Sequence, residues 1–239
     1  VADPRVKEPG VRALVRPVGK GAPKRSMLSD AVKVTANSSI NGAERLLKVR
    51  SVAATEPAAP VQVELYIRVA KADGLTIRNA GGPVELVRVG GAIDVENGFG
   101  GQPGGDVQVR TGDAMTKSST LVTSSGKVLY QVGPGSTGAF NLMADKGEVQ
   151  FNSRLGEVTG VVPESTRWRG VLNGGQNQIT LHSGDGLVRV HVIENAATYG
   201  PETWDGYPTW PSKPRFIGRL GGYYNDEPLF SGGRQAPAK

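Results

Sequence analysis

From Gly74 to Val192 the chain repeats one small unit: four or five residues alternating apolar and polar, then a Gly-Gly or Gly-Asp turn. Pro83-Val-Glu-Leu-Val-Arg-Val-Gly-Gly, Ala92-Ile-Asp-Val-Glu-Asn-Gly and Asp106-Val-Gln-Val-Arg-Thr-Gly-Asp are its clearest copies. Period-two alternation over many short segments predicts strands buried on one face. The inward set is Val84, Leu86, Ile93, Val95, Val107, Val109, Val128, Val132, Phe140, Leu142, Val149, Phe151, Ile179, Leu181, Val188 and Val190. Glu85, Asp94, Gln108, Arg110, Gln150, Thr180 and Arg189 fall on the opposite, outward phase. Glycine supplies the backbone conformations that such corners need. Rungs this short cannot bury a face alone, so they stack into a solenoid or roll up as a sandwich. Gly98 to Gly105 is too long for a tight corner and is expected to protrude.

The fold class expected is therefore all-β, a repetitive stack of short strands flanked by non-repetitive arms. Residues 31–198 form the β-domain on this reading. Within it Val32 and Val34 alternate with polar residues, Leu47, Val49 and Val52 follow, and Val61 to Val69 alternates throughout. These strands are expected to make an edge sheet or a leading layer for the repeats, with Ala43 to Lys48 open to a helical turn instead. Residues 1–30 carry Pro4, Pro9, Pro17 and Pro23 with glycines between, which predicts an extended arm. Residues 199–239 hold eight of the fourteen aromatics among six prolines and keep no regular period. Disordered tails are usually aromatic-poor. That segment is read as meant for burial, capping its own stack or docking on a partner.

Charge sharpens the division. Residues 1–50 hold eleven Lys and Arg against four acids, a balance of +7, whereas the whole chain is +6. The basicity belongs to the N-terminal region. Arg12, Arg16, Lys24 and Arg25 are its candidate contacts, toward an acidic protein face or an anionic membrane surface. Nucleic acid is not expected, since this region offers no aromatic on which a base could stack. In the C-terminal tail Trp204, Tyr207, Trp210, Phe216, Tyr223, Tyr224 and Phe230 are the candidate partner-binding residues, aromatics being enriched in interfaces. With no cysteine there are no disulfides or thiolate metal sites. The chain starts at Val1 without a charged-then-apolar leader, and a removed secretory signal fits that start.

Little in the sequence suggests chemistry. His182 and His191 both fall on outward phases, without carboxylates that can be placed beside them. The turn acids Asp106, Asp113 and Asp185 invite calcium, but the tandem nonapeptide repeat it requires occurs once, and broken. No nucleophile elbow or phosphate-binding loop is present. The expectation is a protein without catalytic residues, cofactor or metal.

Asp106-Val-Gln-Val-Arg-Thr-Gly-Asp and the closing Val171-Leu-Asn-Gly-Gly-Gln-Asn-Gln-Ile-Thr-Leu-His-Ser-Gly-Asp-Gly-Leu-Val-Arg-Val are similar to the repeats of the bacterial putative-adhesin, DUF4097-like family. The likeness spans about residues 74–193 and departs at Ser118–Ser125 and Val161–Trp168, where the rhythm blurs. It implies a repetitive β-fold outside the cytoplasm and brings no catalytic residues. The function expected is that of a non-catalytic accessory subunit. Its arms would dock it onto other protein subunits of a larger membrane-associated assembly, of bioenergetic or photosynthetic type, at the periplasmic or cell-surface side. The alternative is a cell-surface adhesin or glycan-binding module.

Overall fold

A computed structural model describes residues 1–17, 32–41, 44–53 and 61–198. These fall into two compact units. Of the described residues, 1–4 and 71–198 make one unit, and those between Arg5 and Ala70 belong to the other.

The larger unit is an eleven-stranded sheet wrapped around one core. Its strands are β5 (Asp73–Asn79), β6 (Val84–Asn97), β7 (Val107–Thr111), β8 (Ser119–Thr123), β9 (Val128–Val132), β10 (Gly138–Ala144), β11 (Val149–Ser153), β12 (Val158–Pro163), β13 (Arg167–Leu172), β14 (Gln178–Ser183) and β15 (Val188–Val192). The chain alternates between two layers. A front layer runs in spatial order from the first half of β6 through β7, β9 and β15 to β11, all parallel. A back layer runs from β5 through the second half of β6, β8, β14 and β10 to β13 and β12. Only the β10–β13 and β12–β13 pairs of this unit are antiparallel among the described residues. Solenoid and sandwich both describe part of this plan: the rungs stack, and the two layers face each other.

A registered column of glycines sets the corners. Val84, Val107, Val128, Val188 and Val149 are aligned neighbours across the front layer. Each stands two residues after a glycine: Gly82, Gly105, Gly126, Gly186 and Gly147. At this level the backbones of successive rungs touch. A Cβ on Gly105 would lie 2.5 Å from the Gly82 carbonyl carbon, and one on Gly186 would drive into Gly126 O. At Gly105, Gly126, Gly147 and Gly186 the stacked corners leave no room for a side chain, and at Gly82, where there is space, the positive φ of +82° favours glycine.

A polar row lies against that column. Asn79, Asn97, Thr123 and Ser183 are register neighbours at the ends of the back-layer strands. Asn97 Nδ2 donates to Gly82 O at 3.0 Å and Gly105 O at 2.8 Å. Thr123 Oγ1 donates to Gly105 O, and Ser183 Oγ to Gly126 O. Buried carbonyls need donors, and the corner residues supply them. This also explains the blurred rhythm at Ser118–Ser125. β8 holds its register, but its inward positions are Ser119, Leu121 and Thr123. Ser119 shares a buried hydrogen bond with the Tyr130 hydroxyl, and Thr123 serves the corner. The blur at Val161–Trp168 has another cause: there the chain reverses into the β12–β13 hairpin.

The last two strands are out of sequence order. β14 lies between β8 and β10, and β15 between β9 and β11. The Leu172-Asn-Gly-Gly segment that leads to them clamps the neighbouring loops. Asn173 Nδ2 donates to Pro134 O and Ser136 O, and Asn177 Nδ2 to Lys117 O and Thr137 O.

The sixteen residues placed inward from the sequence all belong to this core or pack against it. Val89, Met115, Leu121, Tyr130, Ala144, Trp168, Leu172 and Val192 complete it.

The smaller unit is built differently. β1 (Gly10–Pro17) pairs antiparallel with β4 (Val61–Arg68), and β2 (Val32–Asn41) with β3 (Glu44–Ala53). Each is a sheet of two strands. The stretch open to a helical turn at Ala43–Lys48 is strand from Glu44 onward. Residues 1–30, expected as one extended arm, divide at their described part: residues 1–4 go with the larger unit, and β1 is extended but paired.

Candidate docking surface

Two surfaces stand out from the folding pattern: the outer face of the front layer, and the strand pairs of the smaller unit.

On the front layer, residues that read as solvent-facing are buried. Glu85, Gln108, Leu129, Arg189 and Gln150 form one register row, and Val87, Arg110, Gln131, His191 and Asn152 the next. Gln108, Arg110, Gln131 and Arg189 are all buried. Arg110 is ion-paired with Glu85, and the Arg189 guanidinium donates to Gln150 Oε1 at 2.6 and 2.8 Å. Two short segments of the same unit lie against this face. Ala2 N donates to Val87 O at 3.0 Å, and the turn at Ala196–Thr198 packs on β7 and β9. Ala2, Asp3 and Ala196 are themselves buried. This face is closed by its own chain.

The back-layer outer face is open and polar. Arg78 Nη2 lies 2.6 Å from Asp94 and its Nε 3.2 Å from Glu96. The Asp94 hydrogen bond is the first cause that raises the Arg78 pKa. His182 Nε2 is 3.1 Å from Asp145 Oδ1. No cluster of three or more His, Cys, Asp or Glu occurs among the described residues. Two of the turn acids bond to the backbone of neighbouring corners. Asp106 Oδ1 accepts from Lys127 N at 2.7 Å, and Asp185 Oδ1 from Gly126 N at 2.8 Å. Each ties one corner to the next.

The smaller unit contrasts with both. No described residue between Arg5 and Ala70 is fully buried. Ile40 is 70% exposed, Leu46 60% and Val52 46%. An isolated two-stranded sheet is marginal in water, because it lacks a face to bury. These side chains stay largely exposed among the described residues.

Arg12 and Arg16, singled out from the sequence, both lie on β1. Residues directly opposite in an antiparallel pair share a face. Arg12 faces Tyr66, Arg16 faces Gln62, and Glu64 lies between them on β4. Arg16 Nη2 reaches Glu64 Oε2 at 3.1 Å, and the Tyr66 hydroxyl donates to the same oxygen at 2.9 Å. Burial first, and then that bond to Glu64, push the Tyr66 pKa up to about 12. The other β1–β4 face, Val11, Ala13, Val15, Val61, Val63, Leu65 and Ile67, is wholly apolar. Lys24, Arg25, Trp204, Tyr207, Trp210, Phe216, Tyr223, Tyr224 and Phe230 lie outside the described residues.

Ile40 and Leu46 were not legible as surface residues, because alternation alone reads an apolar strand position as inward. The available signal was their place beside Arg45, Lys48 and Arg50, without an acid except Glu44.

The chain matches no family model and no curated protein. One solved structure is similar: a protein of Clostridium sporogenes described as a "putative cell adhesion protein", with a TM-score of 0.37 and 10% identity. The likeness covers 69% of this chain and 78% of that one. The family reading of residues 74–193 thus has no matching family model, and the coarser statement stands: a repetitive all-β fold. No helix among the described residues is long and apolar enough to cross a membrane.

Proposed function

We propose that the chain is a non-catalytic structural subunit, acting outside the cytoplasm, that docks onto other proteins of a larger membrane-associated assembly. The parallel stack is its rigid body, and the strand pairs between Arg5 and Ala70 belong to its docking surface. One observation carries this reading: those strand pairs present apolar faces but bury no residue fully. Ordering a segment costs conformational entropy, which burial against a partner offsets. Basic side chains around the apolar positions add complementarity toward an acidic partner face. The wholly apolar β1–β4 face is the element best suited to a protein contact.

Gentle isolation of the protein from its native membranes tests the reading. The expected result is a particle heavier than the 25.1 kDa chain, with defined co-purifying proteins in fixed ratio. A monomer that runs alone, with the 5–70 region open to protease, would overturn it.

A further inference from the structure

We propose that the outer face of the back layer pairs with the same face of a second copy of the chain, about a two-fold axis that runs along β14. The outward positions of this layer fall into two register rows. Asp94, Thr120, Thr180, Asn141 and Arg169 are aligned in one, from β6 through β8, β14 and β10 to β13. Glu96, Val122, His182, Met143 and Arg167 are aligned in the other. None of these residues is fully buried by the chain itself. Charge is placed at the two ends. On β6, Asp94 and Glu96 share one guanidinium, that of Arg78 on β5, so this end keeps a net negative charge. On β13, Arg167 and Arg169 are exposed and have no ion pair among the described residues. Between the ends Thr120, Val122, Thr180, Asn141 and Met143 are uncharged, and His182 is held by Asp145.

Symmetry selects the partner. β14 lies two strands from β6 and two from β13. A two-fold axis along it exchanges the ends of each row and keeps the two rows apart. β13 then lies over β6 of the copy, and β10 over β8. Arg169 meets Asp94 and Arg167 meets Glu96, each of them twice in the dimer. The same superposition sets Met143 on Val122, apolar on apolar, and Asn141 on Thr120, polar on polar. Thr180 and His182 meet their own copies at the axis. An isologous interface must be self-complementary in this way. A lipid or polyanion surface would meet like charge at the Asp94–Glu96 end, so it fits one end of the face alone. At ~4.8 Å per strand the face is about 30 Å wide and about 17 Å long, roughly 500 Å², below the ~800 Å² per partner of a standard interface. The dimer is therefore weak and forms at high protein concentration.

This inference concerns a different face from the docking strands and does not rest on their function. The full chain purified alone tests it, so failure here leaves the co-purification result untouched. In sedimentation at low salt the mass should move from 25.1 kDa toward twice that value as concentration rises, and salt should reverse the move. Arg167→Glu with Arg169→Glu should weaken dimerisation on the order of a hundredfold, and Asp94→Lys with Glu96→Lys should do the same. Mixing the two variants should restore the dimer, because one contact is then wild-type and the other is reversed on both sides. The chain has no cysteine, so Thr180→Cys places one thiol on each side of the axis. A bis-maleimide of about 10 Å span, the spacing of packed sheets, should link them. Glu194→Cys, an exposed position that follows the front layer, should stay unlinked. A chain that is monomeric at every concentration would overturn the proposal. So would a dimer that is not linked through position 180, and both results hold whether or not the charge variants fold. A dimer unweakened by either folded variant, or a mixture of folded variants that stays monomeric, would overturn it as well.

Discussion

Removing residues 178–198 abolishes folding of the larger unit instead of shortening it by one rung. In a solenoid stacked in sequence order, the last strands are an end cap whose loss leaves the remaining rungs paired. Here β14 and β15 fill interior slots. Without them β8 and β10, and likewise β9 and β11, are separated by a missing strand. At a strand spacing of about 4.8 Å, that gap is roughly 10 Å, beyond hydrogen-bond reach. Four parallel ladders vanish together. The deletion also takes Ile179, Leu181, Val188, Val190 and Val192 from the core. At about 1.5–3 kcal/mol for each buried side chain, that loss is on the order of 10 kcal/mol. Typical domains have only about 5–15 kcal/mol in total. Circular dichroism and size exclusion of the truncated protein check this. A soluble, cooperative β-protein after the deletion would show that the stack closes without its last rung.

Trp168→Ala has the next largest effect, a loss of about 3–5 kcal/mol. Its ring stacks on Phe151 with centroids 4.1 Å apart and planes 4° apart, and Phe151 meets Phe140 edge-on at 5.2 Å. Phe151 lies on β11 of the front layer, whereas Phe140 and Trp168 lie on β10 and β13 of the back layer. The three rings fill the core between the layers at the end of the stack. Stacked pairs add about 0.5–1.5 kcal/mol beyond area burial. Gly170 confirms how closely this end is fitted, since a Cβ there would lie 2.5 Å from the indole. Collapse into the vacated space is restricted by the hairpin, so a cavity remains. Urea denaturation gives the expected drop in midpoint. Val162→Ala, on the exposed edge strand β12, should change stability by less than about 0.5 kcal/mol. Equal effects at the two positions would contradict this core assignment.

The sequence made the rungs legible but not their order. Gly-x-Val recurs at Gly82, Gly105, Gly126, Gly147 and Gly186, so every rung carries nearly the same corner. Identical corners do not specify which rung neighbours which. That choice is made at long range, by the Asn173 and Asn177 clamps and by the reversal at β12–β13. Burial of the front-layer polar rows was hidden for a related reason. Gln108, Arg110, Gln131 and Arg189 have the outward phase, and outward means exposed only where nothing covers the strand. Ala2 and the turn at Ala196–Thr198, far away in sequence, lie against that face. Arg12 and Arg16 were found as basic residues, whereas their shared face with Glu64 and Tyr66 depends on a partner strand about fifty residues away. Apolar alternation in β2 and β3 correctly marked strands but could not show that their faces find no core.

Hydrogen exchange, compared between the isolated chain and the assembly purified from membranes, tests the docking role most directly. Exchange protection follows local stability. The docking account predicts rapid exchange of the β1–β4 amides in the isolated chain and strong protection in the assembly, while β7, β9 and β15 remain protected in both. Amides of β1–β4 that are already as protected as the stack in the isolated chain, and unchanged in the assembly, would contradict it.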